Sequence, residues 1–148
     1  MSLHIEERES EGIVILDLKG PLTLGHGDLE LRDRLPALHQ SGKVNIVLNF
    51  KDVSEIDSTG LGTLVFGLAR LRKSGGGLAL ANVNRSHVEL FLLTKLAIAF
   101  EFFEDEQEAV NSFFPDRPVK RFDILDFVQR QEPSDSDRTV AVGRGLLE

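Results

Sequence analysis

The side chains of this sequence that could do chemistry crowd into one stretch, Asp52-Val53-Ser54-Glu55-Ile56-Asp57-Ser58-Thr59-Gly60-Leu61-Gly62. Its three carboxylates and the adjacent hydroxyls of Ser58 and Thr59 could serve a nucleophile, a phosphoacceptor or a docking surface. The enzyme arrangements fail on spacing. Ser58 is not at a nucleophile elbow, because Ile56 stands where that motif has its first glycine. Gly60 and Gly62 lack the third glycine of a dinucleotide loop, and no lysine follows a glycine run as a phosphate-binding loop needs. An aspartyl phosphoacceptor built on Asp52, Glu55 and Asp57 would want an acidic pair after the first strand and a lysine after a later one, and neither is evident. His4, His26, His39 and His87 are too scattered for metal-ligand spacing and read mostly as surface residues. No metal and no cofactor is expected, and no catalytic group. Ser58 remains, as a hydroxyl at a loop tip that another protein could reach.

The elements that must position Ser58 follow from pattern. Val44 to Phe50 is an apolar, β-branched run suited to a strand buried on both faces. Asp52 to Asp57 is too charged to continue it and reads as a polar turn. From Leu61 the apolar residues Leu61, Leu64, Val65, Leu68 and Leu71 recur at the spacing of one helical face. Ser58 and Thr59 therefore sit at a helix start, where a serine commonly caps free backbone N–H groups. A capping hydroxyl and a reachable one are compatible roles. Asp57 is expected to hydrogen-bond the turn or orient the hydroxyl. Gly60 and Gly62 permit close approach, either of a partner or of the neighbouring strand loop.

Upstream, Leu3 to Ile5 and Gly12 to Lys19 read as an antiparallel hairpin turning at Glu9 to Gly12, with Leu22 to Leu24 a brief third strand. Asp28 is a plausible cap for a helix with Leu31, Leu35 and Leu38 inward, and Pro36 should kink it. Downstream, Gly75 to Gly77 stop the second helix and Leu78 to Val83 form the next buried strand. Ser86 with Glu89 reads as a capping box for a helix to about Leu96. Phe100 to Phe103 is a short strand, and Glu104 to Phe114 a last helix with acidic residues in its first turn. The alternation implies parallel pairing. The expected fold is α/β, a mixed sheet of four or five strands with helices mainly on one face. Pro115 and Pro118 mark a boundary between a domain over 1–114 and an extension over 115–148. In the extension, 121–131 could form a helix through Phe122, Leu125 and Val128, and a flexible polar tail follows.

Composition narrows the setting. A chain of 148 residues that is 41% hydrophobic suits one domain burying roughly 70% of its unfolded surface. With no cysteine there is no disulfide, no thiol catalysis and no cysteine metal site, which fits a reducing cytoplasm. Met1 to Glu11 holds four glutamates and no apolar core, so it is no signal peptide. Glu89, Lys95 and Glu101 break up the most apolar region, so no membrane span is expected. A net charge of −7 with no visible basic face argues against nucleic acid and for basic protein partners.

Ile56-Asp57-Ser58-Thr59-Gly60-Leu61-Gly62 resembles the signature of the STAS domain, found in bacterial anti-sigma factor antagonists and on anion transporters, and the likeness extends over roughly residues 3 to 114. In that family the serine after the aspartate is the phosphoacceptor of a partner kinase that is itself the anti-sigma factor. The resemblance implies that Ser58 has this role, with Asp57, Thr59, Gly60, Leu61, Gly62 and Thr23 on the partner face. Unphosphorylated, such a protein would bind the anti-sigma serine kinase and free a sigma factor. Phosphate on Ser58 would break the complex until a phosphatase removed it. The alternative is a STAS subunit of a transporter or sensory assembly in which Ser58 is unmodified. Thr23 is a departure, since antagonists typically carry an aspartate after the Gly-x-Leu that is here Gly20-Pro21-Leu22.

Overall fold

The computed structural model describes residues 2–120. Its elements run β1 (His4–Ser10), β2 (Ile13–Leu22), α1 (Asp28–Gln40), β3 (Asn45–Ile56), α2 (Ser58–Lys73), β4 (Gly77–Ala81), α3 (Arg85–Leu93), β5 (Glu101–Phe103) and α4 (Glu106–Asn111), with a single 3₁₀ turn at Ala97–Ala99. The five strands lie side by side in chain order. β1 and β2 are antiparallel, while β2–β3, β3–β4 and β4–β5 are parallel. The hairpin closes on Glu11 and Gly12, both at positive φ (55° and 81°), which matches the right-handed twist of the two strands.

Alternation along β2 divides two cores. Val14, Leu16 and Leu18 face α1, α2 and α3, together with Ile46, Leu48, Leu64 and Leu68. Ile13 and Ile15 face the other way, onto Val47, Ala79, Phe103 and the α4 residues Ala109 and Val110. Phe91 of α3 packs edge-on against Phe100 and Phe102, with centroids 5.4 and 5.1 Å away, and so fixes α3 to the far edge of the sheet. Three helices cover one face and α4 the other, as expected of helices mainly on one side. Phe113, Phe114 and Val119 add to the α4 side, so the described chain packs on the body beyond residue 114. The helix expected over 121–131 and the tail after it lie outside the described residues. No described helix is long and apolar enough to cross a membrane.

Several local expectations are corrected. β3 does not stop at Phe50 but runs to Ile56, pairing Asp52 with Lys19, Val53 with Gly20 and Glu55 with Pro21. β4 pairs with β3 only as far as Asn49, so the last residues of β3 have β2 alone as neighbour. There Val53 is buried while Lys51, Asp52, Ser54 and Glu55 point to water, and charge is compatible with a strand of that kind. β2 likewise runs through Leu22, leaving only isolated bridges from Thr23 where a third strand was expected. The N-cap of α1 is Gly27 and not Asp28, whose buried carboxylate instead accepts the Gly25 N–H at 2.8 Å. α1, by contrast, has the expected extent, with Pro36 in its interior and its end at Gln40. Asn84, not Ser86, caps α3, accepting the His87 N–H at 2.9 Å, and α3 ends at Leu93. Asp105 caps the short α4 in the same way, through the Glu108 N–H.

Candidate functional site

Ser58 is the first residue of α2, at the end of β3 and beside the loop that leaves β2. The helix cap expected of Ser58 is supplied by Asp57. Its Oδ1 accepts the Gly60 N–H at 3.0 Å and its Oδ2 accepts the Leu24 N–H at 3.0 Å. Asp57 therefore satisfies a free amide of α2 and ties the β2–α1 loop to the β3–α2 turn. Burial pushes its carboxyl up, but the backbone N–H groups of Leu24 and Gly60 outweigh this and hold it below the usual carboxylate range. Since Asp57 does the capping, the Ser58 hydroxyl is left exposed, with no hydrogen bond to any described residue.

The two glycines divide the roles the sequence left open. A Cβ on Gly60 would lie 2.2 Å from the Leu22 carbonyl oxygen, so Gly60 serves the close approach of α2 to the β2 loop. A Cβ on Gly62 would meet nothing within 4 Å, which leaves that position as open surface. Thr23 is brought to the same corner. Its backbone closes the loop on His26 through N–H···O bonds of 3.0 and 2.8 Å, immediately before Leu24. Two residues expected on a partner face turn inward. Leu61 is 2% exposed in the core, and Gly60 is buried beneath Leu22, so both build the corner and neither presents itself to a partner.

The family model of the STAS domain matches residues 4–109. The chain belongs to the STAS domain family. It is 30% identical over 96 residues to the anti-sigma-B factor antagonist of Bacillus subtilis, covering 65% of this chain and 86% of the relative. Its fold resembles that of an anti-sigma factor antagonist from Mycobacterium paratuberculosis, with a TM-score of 0.68 at 17% identity over 76% of this chain and 94% of the other. It also resembles the Bacillus cell fate determinant SpoIIAA in its phosphorylated form, with a TM-score of 0.57 at 21% identity over 75% and 98%.

Sequence reasoning missed what surrounds the serine in this STAS domain. Leu24, Leu29 and Phe66 are exposed, at 69%, 55% and 78%. Leu24 touches the Asp57 cap, and Phe66 stands on the Gly62 side of α2, one turn further on. Between α1 and α2 a groove of about 1030 Å³ opens beside Thr59 and Gly62, with Phe66 as one wall and Arg32, Arg70 and Lys73 among its lining. Phe66 lies off the inward stripe of α2, and an aromatic on the outer face of an amphipathic helix was the available signal.

Proposed function

We propose that this STAS domain is a phosphorylation-controlled protein-binding switch, an anti-sigma factor antagonist acting in the cytoplasm whose phosphoacceptor is Ser58. The observation that carries the reading is the free, exposed Ser58 hydroxyl on a helix start that is already capped by Asp57. Such a hydroxyl can be modified without unmaking a structural hydrogen bond. A partner kinase would transfer the terminal phosphoryl group of ATP to Oγ of Ser58. The bond to the leaving diphosphate breaks as the serine proton passes to a base of that kinase. Chemistry is done to this protein, which is a substrate and a ligand.

The phosphate would bring about −1.5 to −2 charges and three acceptor oxygens beside the Asp57 carboxylate. The α2 N-terminus partly offsets that repulsion, by about 0.3–1 kcal/mol at an exposed site. The folded domain therefore survives phosphorylation, and what changes is the docking surface around Thr23, Leu24, Ser58, Thr59 and Gly62. In the unphosphorylated state that surface binds an anti-sigma serine kinase and frees its sigma factor, and a phosphatase resets the cycle. Support comes from the relatives that carry the name anti-sigma factor antagonist and from the phosphorylated form in which SpoIIAA has been solved.

The test is a pull-down from native cell extract with ADP or ATP, using wild type, Ser58→Ala and Ser58→Asp as baits, with phosphopeptide mass spectrometry on recovered wild type. A kinase-like partner held by the first two and lost by the third, with phosphate on Ser58, supports the switch. Equal retention by all three baits, with Ser58 never phosphorylated, overturns it.

A further inference from the structure

We infer that the α1–α2 groove is the seat of a partner helix that carries carboxylates around an apolar stripe. The inference rests on the switch reading above and names the surface and chemistry that the switch controls.

The first observation is a local inversion of charge. The chain has 24 acidic and 17 basic residues, net −7, yet the groove is lined by Arg32, Arg70 and Lys73 and by no carboxylate. Arg70 and Lys73 are exposed and form no ion pair with any described residue, while Arg32 holds Asp28 at 3.3 Å with much of its side chain still open to water. Cations in the last turn of α2 also suit the helix dipole. The dipole explains neither Arg32 on α1 nor the apolar character of the groove between the cations.

The second observation is shape. The wall residue Phe66 leaves 78% of its surface in water, while Gly62 beside it offers no side chain to cover it. From Thr59 to Lys73 the groove follows α2 for about 21 Å at 1.5 Å per residue, the length of a four-turn helix. A small ligand in so open a trough would keep much of its surface wet, whereas bound small molecules are normally mostly buried. An amphipathic helix laid along it would cover Phe66, Ala69 and Pro36 with its apolar stripe and meet the three cations with its flanking acids. A second copy of this chain is disfavoured by the mutual repulsion of two bodies of charge −7.

The groove also connects to the switch. Ser58 and Gly62 are four residues apart on α2 and so share a face, which places Ser58 at the mouth of the groove. A phosphate there would lower the positive field of the groove and repel an acidic helix entering it. Phosphorylation thereby ejects the partner by charge, at a site where the domain itself need not change shape.

The experiment uses the protein recovered by the wild-type bait, purified, and measures its affinity for four full-length chains: wild type, Ser58→Asp, Phe66→Ala, and the double variant Arg70→Glu with Lys73→Glu. Circular dichroism checks that each is folded. Binding to the double variant should weaken about tenfold or more, with a shallower salt dependence than wild type. A photo-crosslinking p-benzoylphenylalanine in place of Phe66 should mark an acidic helix of the partner, and replacing that helix's carboxylates by lysine should restore binding to the double variant. If the double variant binds within twofold of wild type while Ser58→Asp abolishes binding, the groove inference fails and the switch stands. If Ser58→Asp binds like wild type, the switch fails, and a weakened double variant then leaves the groove as a constitutive docking site. Crosslinks confined to residues 121–148 of the same chain, or to a second copy, overturn the partner assignment.

Discussion

The Asp57 carboxylate accepts the Leu24 N–H at 3.0 Å, across 33 residues of sequence, while its other oxygen caps α2 through Gly60. One side chain thus holds together the two loops that frame Ser58. Asp57→Ala should cost about 1–2 kcal/mol in urea denaturation at pH 7, the upper part of the range for a lost cap, because the loop tie goes as well. Asp57→Asn keeps one acceptor oxygen and should lose less. The wild-type advantage should also depend on pH. A carboxyl held low in the folded state contributes above its unfolded value of about 3.9, and that contribution is lost as pH falls through the folded value. An alanine variant within 0.3 kcal/mol of wild type, below the range for a lost cap, would sink this account of the corner.

Gly60 and Gly62 make a paired test, since they differ only in what surrounds them. An added Cβ at Gly60 meets the Leu22 carbonyl oxygen at 2.2 Å, and a backbone oxygen cannot swing away as a side chain can. Gly60→Ala should destabilise by about 2–3 kcal/mol, in the range of overpacked cores. At Gly62 the same methyl enters open space within a helix, so Gly62→Ala should stabilise by about 0.5–1 kcal/mol. Thermal unfolding of the two variants should move in opposite directions. Parallel shifts would contradict the packing described here.

Periodicity made the scaffold legible. The Leu61–Leu71 stripe and the run from Val44 to Phe50 located α2 and the buried half of β3, because burial on both faces leaves a continuous apolar signature. The charged half of β3 did not read as strand, because its neighbour on one side had already ended and its residues face water. Caps were misassigned by one or two residues at Ser58, Asp28 and Ser86. At Ser58 and Ser86 a polar side chain stands just inside the helix and the capping hydrogen bond is made by a residue before it, while at Asp28 the cap position falls to Gly27, which makes no side-chain hydrogen bond; composition does not carry these distinctions. Ser58 itself was singled out by its motif. Leu24 and the α1–α2 groove were not, since both depend on which segments fold side by side.

Arg8 joins three elements on the α4 side of the sheet. Its guanidinium donates to Asp17 through Nε at 2.6 Å and through one terminal nitrogen at 2.9 Å, and to Glu106 at the start of α4 at 2.6 and 3.3 Å. The Asp17 carboxyl is held below its usual range, first by the Arg8 hydrogen bonds, which outweigh the opposing push from burial, and further by the Asn49 amide. The group is partly exposed, so Arg8→Ala should lower global stability by only about 1 kcal/mol. The local effect should be larger. Amides of Glu106–Asn111 should exchange hydrogen several-fold faster, while those of α2 keep the rate set by the global change. Arg8→Lys should not rescue the exchange, because a point charge cannot make the two-pronged contact. Uniform acceleration across the domain would show that Arg8 does not specifically secure α4.

His87 supplies a pH dependence of opposite origin to that of Asp57. Its backbone N–H is taken by the Asn84 cap, but its imidazole is buried at 7% exposure and Nδ1 has no hydrogen-bond partner among the described residues. Burial pushes the imidazole below its ordinary value of 6.5, since a buried charge is unfavourable. Between the folded value and 6.5 the unfolded chain binds the proton more readily, so stability rises with pH there. Stability should therefore be flat above pH 7.5 and decline as pH falls below about 6.5, by at most about 1.4 kcal/mol per pH unit. The decline should level off once the folded imidazole is also protonated. The comparison that isolates His87 is a series of urea denaturations from pH 5 to pH 8 on wild type and His87→Leu, since the other histidines and every carboxylate are common to both. The difference in stability between the two chains should vary below pH 6.5 and be constant above pH 7.5. Curves that stay parallel from pH 5 to pH 8 would mean that His87 finds a partner or solvent on protonation, and that its burial does not control the acid side of the stability profile.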